Sequence, residues 1–308
     1  LRTCCDDLCA YGDDLCTYSK ALKEGIATLA ANIKTTIKDE PNDNVRNDVQ
    51  FEAQLLLSEV LATSRAELIA WPERTLQLTQ QAQYRQLIER RARGEPIAYI
   101  LGRREFWGLS LEVAAATLIP RPDTELVVEC ALAALPAKRN VLCADLGTGS
   151  GAIAAALANE RPAWTLIAIE RCADAAGVAA ANVRRLGLKR MHIVRGDWLR
   201  ALAPASLDAI VSNPPYVREQ DSHLRCGDLR FEPRTALTAG ADGLSAIRAI
   251  IAQAPTRLRI GGWIAIEHGW NQGASVRRLL QQAGFTEIAT HRDLSGHERV
   301  STGIRNSK

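Results

Sequence analysis

The feature that most constrains this chain lies near its middle. An apolar run, Val141-Leu142-Cys143-Ala144-Asp145, passes into Leu146-Gly147-Thr148-Gly149-Ser150-Gly151 and then into a helical stretch over 152–159. A strand that becomes a helix through three glycines uses backbone conformations open to glycine, and it brings N–H groups close to whatever the crevice holds. Alternation continues on both sides of this turn. A helix over 123–135 precedes it; strand 165–170, helix 173–186, strand 192–196, strand 208–212, helix 244–258, strand 263–267 and helix 274–283 follow. Such alternation predicts an α/β fold, with a doubly wound, mostly parallel Rossmann-like sheet and helices on both faces. The last two runs, 287–292 and 300–304, have no helix between them and predict an antiparallel hairpin at one edge.

Upstream the period changes. From 49 to 93 the pattern is helical: Phe51, Leu55, Leu56, Val60 and Leu61 share an apolar face, and Leu87 and Ile88 extend it beyond the Trp71-Pro72 break. Gly94-Glu95-Pro96 ends this small bundle. Three short apolar runs follow: Ile97-Ala98-Tyr99-Ile100-Leu101, Glu105-Phe106-Trp107-Gly108-Leu109 and Leu111-Glu112-Val113. They are read as strands, with a β-hairpin joining two domains.

The first forty-odd residues differ in composition. Of 31 Arg only Arg2 precedes Arg46, whereas Lys20, Lys23, Lys34 and Lys38 are four of 7 Lys. Cys4, Cys5, Cys9 and Cys16 crowd the same stretch, the first residue is Leu, and the single Met is Met191. The expected organisation is therefore an extension over 1–44, disordered or a non-native start, though 21–37 could form a helix. A helical domain over 45–95, a hairpin linker over 96–122 and the α/β domain over 123–308 follow it.

Composition narrows the partners. A net charge of +3, from 38 basic and 35 acidic residues, lacks the basic footprint of a protein that lives on phosphates. No apolar run approaches the roughly 18 residues of a membrane span, and no basic and apolar leader opens the chain. The cysteines show neither metal-ligand spacing nor a secreted disulfide framework, so no metal is expected and a reducing cytoplasm is. Cys130, Cys143, Cys172 and Cys226 are read as small buried or half-buried thiols.

The glycine turn carries chemical information. Its spacing is G-x-G-x-G rather than G-x-G-x-x-G, and Asp145 stands at the end of the strand. A carboxylate there suits a ligand bearing an ammonium group better than a pyrophosphate, as in S-adenosylmethionine. Glu170 ends the next strand, where a carboxylate can accept from ribose hydroxyls; a solvated strand end is the plain alternative. Asp197-Trp198 closes the third strand, where a polar group and a ring could hold adenine, although a lone Trp is more often core. Cofactor contacts are thus expected from Asp145, Gly147, Thr148, Gly149, Ser150, Gly151, Glu170, Asp197, Trp198 and Asn213.

After the buried strand 208–212 stands Asn213-Pro214-Pro215-Tyr216. Consecutive prolines fix φ and remove donors, leaving carbonyls as acceptors. Asn213 adds a side-chain carbonyl and Tyr216 an aromatic face. The set suits a planar NH2 group, aligned on a sulfonium methyl without a strong base. A proline-rich turn is the plain alternative. Asn213, Pro214 and Tyr216 are the expected catalytic residues.

These features resemble the class I S-adenosylmethionine methyltransferases and, more narrowly, the HemK-type release factor glutamine methyltransferases. The narrower resemblance rests on Arg103-Arg104-Glu105-Phe106-Trp107, Leu118-Ile119-Pro120-Arg121-Pro122-Asp123-Thr124-Glu125, and Asp145 through Gly151. It rests also on Asn213-Pro214-Pro215-Tyr216-Val217, Phe231-Glu232-Pro233-Arg234-Thr235-Ala236-Leu237 and Glu267-His268-Gly269. It covers about Val45 to the C-terminus and leaves 1–44 without a counterpart. The resemblance implies methyl transfer to the amide nitrogen of the Gln in the GGQ motif of peptide-chain release factors. It implies that Asn213, Pro214, Pro215 and Tyr216 hold the glutamine, that Phe106 or Trp107 lines the site, and that the helical domain helps hold the release factor. Glu170 departs from the Asp of many relatives. A monomer with no stable nucleic-acid or membrane partner is expected.

Two other enzyme classes are weighed, along with a non-catalytic cofactor-binding protein. An N-methyltransferase for DNA adenine or rRNA guanine shares N-P-P-Y but wants a basic groove or target-reading domain. A NAD-dependent oxidoreductase fits neither the glycine spacing nor N-P-P-Y. The intact motifs disfavour the non-catalytic reading. Arg121 and Asp123 could cover the cofactor or cap a helix, and His268 could face the crevice or be structural.

Overall fold

The computed structural model describes residues 16–36, 43–137 and 139–306, and the chain divides into two units after Leu101. The first unit is helical: α1 (Tyr18–Thr36), α2 (Asp43–Leu61), α3 (Arg65–Ala70), α4 (Leu78–Ala92) and α5 (Ile97–Leu101). Its core gathers Ala21 and Leu29 of α1, Val49, Ala53, Leu56 and Leu57 of α2, Leu68 of α3, and Tyr84 and Ile88 of α4. The buried face of α2 is therefore rotated from the expected one. Phe51 lies outside it, 44% exposed, with the Arg65 guanidinium 4.2 Å from its ring centre.

Two further expectations are corrected here. Residues 16–36 belong to the fold. Leu76 N–H donates to Cys16 O at 2.9 Å and Tyr18 N–H to Arg74 O at 2.8 Å, while Ala21 and Leu29 fill the core. The shift from Arg to Lys thus does not mark a fold boundary; residues 1–15 and 37–42 lie outside the described residues. The run Ile97 to Leu101 is a helical turn, not a strand. Pro96 starts it by accepting from Tyr99 and Ile100 N–H, each at 3.0 Å, and Ile100 joins the helical core. A five-residue apolar run fits either period, and only packing decides.

The second unit opens with a hairpin, β1 (Arg103–Phe106) and β2 (Leu109–Glu112), turning at Trp107-Gly108. Then come α6 (Glu125–Ala134), β3 (Leu142–Leu146), α7 (Ala152–Glu160), β4 (Thr165–Glu170), α8 (Ala173–Leu186), β5 (Met191–Arg195) and β6 (Leu207–Ser212). They are followed by α9 (Arg234–Leu237), α10 (Ser245–Arg257), β7 (Leu258–Glu267), α11 (Gly273–Gln282), β8 (Phe285–Arg292) and β9 (Glu298–Arg305).

The seven-stranded sheet runs β5-β4-β3-β6-β7-β9-β8; the first five strands are parallel, and β9 and β8 form the expected antiparallel edge. Apolar residues of α6 and α7 cover one face, and those of α10 and α11 the other. The hairpin packs on this unit through Phe106 and Leu111. Among the described residues no helix is long and apolar enough to cross a membrane.

Candidate active site

Strand order reverses at β3, which has β4 on one side and β6 on the other. In an open α/β sheet the crevice beyond such a reversal is where ligands bind. A cavity of about 350 Å³ opens there. Gly147, Thr148, Gly149, Ser150, Glu170, Asp197, Trp198, Asn213 and Pro215 all line it.

The glycine turn is held by its own backbone. Gly147 and Thr148 N–H both donate to Ile169 O, at 2.9 and 3.1 Å. Gly147 has φ +68°, and a Cβ there would lie 3.3 Å from the Trp198 ring, so the turn and the indole form one wall. Gly151 faces elsewhere: a Cβ on it would meet Met191 at 3.1 Å and Ala179 at 3.5 Å, which makes it a packing residue between α7 and α8.

Three side chains brace the turn. Asp145 is buried and outside the cavity lining; it accepts from Thr148 Oγ1 at 2.5 Å and Ala154 N–H at 3.2 Å, while its Oδ1 is buried without a partner. Burial pushes this carboxyl up to about 6 against those two hydrogen bonds. Asn182, fully buried on α8, donates to Ser150 O at 3.0 Å and Glu112 O at 2.9 Å and accepts from Glu112 N–H at 2.7 Å. Glu170 accepts from Gly149 N–H at 3.0 Å and Cys172 N–H at 2.9 Å, setting its carboxylate in the cavity wall.

The other end of the cavity is assembled from distant segments. Ser212 Oγ donates to Leu146 O at 2.7 Å and ties the ends of β6 and β3. Asn213 follows, and its Nδ2 donates to Thr124 Oγ1 at 2.9 Å. That bond turns the carbonyl oxygen of the Asn213 amide away from Thr124. Pro214 is buried beneath. The Tyr216 hydroxyl donates to Glu267 Oε1 at 3.2 Å, and burial pushes it well above the ordinary phenol range, so it stays protonated. Burial also pushes Glu267 up, to about 7.

Over the cavity two loops hold each other. Glu232, 4% exposed, accepts from Ile119 N–H at 3.2 Å and pairs with Arg121, which lines the cavity. Asp123 pairs with Arg299 of β9 at 3.2 Å. His268 is structural: it is buried, its ring bonded to Gly269 O at 3.0 Å and Ser301 Oγ at 2.9 Å, with burial holding its pKa down.

The structure corrects Phe106. It is 2% exposed in the core beside α6 and α7, because the hairpin turns that face inward. Trp107 is likewise committed elsewhere, its Nε1–H donating to Glu160 at 3.0 Å. Cys172 and Cys226 are exposed rather than buried. Thr124, Asn182, Glu267 and Arg299 were not singled out from the sequence. Thr124 and Glu267 do fall inside the motif blocks, and that was the available signal.

Comparison with known proteins adds the following. Residues 42–102 match the PrmC N-terminal domain family, and residues 123–231 match the family described as methyltransferase small domain. The crystal structure of a methyltransferase from Pyrococcus furiosus is 17% identical, with a TM-score of 0.50, covering 72% of this chain and 98% of that one. It shares the fold. The small-domain match, on a chain of this fold, marks the class as methyltransferase.

Two curated relatives go further. The release factor glutamine methyltransferase of Pseudomonas aeruginosa is 49% identical over 254 residues, 82% of this chain and 92% of the relative. The enzyme of the same name from Escherichia coli is 45% identical over 286 residues, 93% of this chain and 98% of the relative. The chain belongs to the release factor glutamine methyltransferase family. The second match takes in part of 1–44, since 286 of 308 residues cannot be covered otherwise, which overturns the expectation of no counterpart there.

Proposed function

We propose that this protein methylates the side-chain amide nitrogen (N5) of the glutamine in the GGQ motif of peptide-chain release factors, using S-adenosylmethionine. The observation that carries the reading is the Asn213 amide, pinned by Thr124 with its carbonyl oxygen left as an acceptor in the cavity wall. An amide NH2 has two hydrogens to place; the Asn213 Oδ1 and the Pro214 carbonyl are the acceptors assigned to it. Tyr216, anchored on Glu267, keeps its ring fixed beside them. Alignment and preorganised acceptors are the contribution of these residues, and no strong base is assigned.

The residues at the other end suit the cofactor. The positive-φ glycines, the Glu170 carboxylate and the Trp198 ring against Gly147 form a cradle that a larger side chain at 147 would fill. Glu170 is assigned to the ribose hydroxyls, Trp198 and Asp197 to adenine, and Gly147, Thr148, Gly149 and Ser150 to the amino-acid portion. Asp145 holds the turn in shape rather than touching the ligand. When bound, S-adenosylmethionine supplies the electrophilic sulfonium methyl.

The helical unit is assigned to holding the release factor. We further place the reaction in the cytoplasm, where translation occurs, and assign a monomer without stable nucleic-acid or membrane partners. The near-neutral charge supports the exclusion of nucleic acid.

The test is incubation of purified protein with labelled S-adenosylmethionine and either release factor or DNA and RNA. Label is expected in the glutamine of the release factor. Label in nucleic acid and none in release factor would sink the reading.

A further inference from the structure

The acceptor end contains a buried acid that the reading above uses only as an anchor. Glu267 closes β7 and is 1% exposed. The β6–β7 register pairs Ser212 with Ile266, so the next residues along the two chains are Asn213 and Glu267. On its other side the β7–β9 register pairs Glu267 with Val300, next to Arg299. Its Oε1 accepts from Tyr216, and its Oε2 is buried with no hydrogen-bond partner. The Thr124 hydroxyl, which accepts from Asn213 Nδ2, faces the same carboxyl and lowers its pKa, favouring the ionised form against burial. A buried carboxylate with an unpaired oxygen costs folding free energy that an apolar residue would not, and such groups gather where function needs them.

We propose that Glu267 is a positioning residue for the acceptor: its buried carboxyl anchors the Tyr216 hydroxyl and faces the Thr124 hydroxyl that pins Asn213, and so fixes the Asn213 amide with its carbonyl oxygen toward the nitrogen to be methylated. The proposal rests on the glutamine-amide reading. An ionised carboxylate only accepts, so donation runs one way, from the Asn213 NH2 to Thr124 and from Thr124 and Tyr216 toward Glu267. Once protonated, the carboxyl donates instead and competes for the Thr124 oxygen, which frees the amide to turn over. The charged groups facing it are Asp123, on the turn before α6, and Arg299 of β9, itself held by Asp293 at 2.9 Å; Asp123 raises the Glu267 pKa and Arg299 lowers it. Burial outweighs both and places the change at about 7. The ordered form therefore dominates above that pH.

Three measurements test this. In the wild type, kcat at saturating substrates rises through about pH 7 and levels off. Glu267→Gln keeps the volume and an acceptor for Tyr216, and its profile is flat through that range. Glu267→Ala and Thr124→Val lower kcat by about 10²-fold, Thr124→Ser restores it, and affinity for S-adenosylmethionine stays within about twofold in all of them. By NMR, the side-chain amide signal of Asn213, assigned from its loss in Asn213→Ala, shifts with a midpoint near pH 7 in the wild type and stays put in Glu267→Gln.

An amide signal that behaves alike in both proteins, or a Gln variant with the wild-type pH profile, would overturn the proposal. The NMR readout needs no release factor. Failure to methylate release factor would therefore break the functional reading, while the amide titration would still decide the role of Glu267.

Discussion

The two ends of the cavity are built by different means. The end assigned to the cofactor is one contiguous turn, Gly147 to Ser150, shaped by its backbone conformation and hydrogen bonds to Ile169 O and braced by Asp145, Asn182 and Glu170. The end assigned to the acceptor is lined by Thr124 and Asn213 and backed by Tyr216, Glu267 and Arg299, four separate segments joined by side chains. A turn shaped by its own backbone resists most changes to its own side chains except those that change φ or add bulk, and depends otherwise on the braces outside it. A side-chain network fails when any one member loses its partner.

Four changes would break or sharpen that contrast. The largest effect belongs to the acceptor end. Asn213→Ala should lower kcat by about 10³-fold while cofactor affinity, measured by calorimetry, weakens only modestly. A variant with near-normal turnover would show that the network is not what aligns the acceptor. Asn182→Ala should then cost about 3 kcal/mol in chemical denaturation, since it strands Glu112 N–H, Glu112 O and Ser150 O. A loss under 1 kcal/mol would mean that the turn needs no brace.

Asp145 supplies a pH test of the cofactor end. Its carboxyl keeps a proton up to about pH 6 in the folded protein and to about 4 in the unfolded chain. The Asp145 contribution to stability should therefore fall by about 2–3 kcal/mol as pH rises from about 4 to about 6, while Glu267, raised to about 7, carries the total fall on toward that pH. Asp145→Asn should flatten that fall in urea melts taken across the range; an unchanged slope would exclude Asp145 as its source. The smallest effect is Gly147→Val, which combines positive φ with contact on the Trp198 ring. Cofactor affinity should drop about 10–100-fold, with kcat at saturation nearly unchanged; equal losses in both would erase the distinction between the two ends.

Legibility in the sequence followed the same divide. The glycine turn, the strand ends at Glu170 and Asn213, and the antiparallel edge were readable because each is local and periodic. Thr124 and Glu267 were not, because their roles come from strand order and register, which place residues 124, 213 and 267 together without any spacing to announce it. Phe106 misled because an aromatic residue in a motif block looks the same whether it faces ligand or core. The helical unit shows a further limit. In α2 a stretch rich in Leu offers several apolar faces, and packing chose the one holding Val49, Ala53, Leu56 and Leu57 and left Phe51 outside. In α1 composition suggested foreignness, and burial of Ala21 and Leu29 showed otherwise.

Asn182 has a consequence for how this unit tolerates change. All three bonds to the hairpin and the glycine turn end on main-chain atoms, two on Glu112 and one on Ser150. The side chains at those positions are not read by the joint. A change of side chain at residue 112 leaves the Asn182 bonds in place and removes only the exposed pairing of Glu112 with Arg185 at 3.3 Å, whereas Ser150, 2% exposed, tolerates only changes of similar size. The same economy makes Asn182 itself hard to replace: no other uncharged side chain but the longer Gln offers two donors and an acceptor on one planar group. The chemistry of the joint is thus fixed at its centre, while its two ends are held through main-chain atoms.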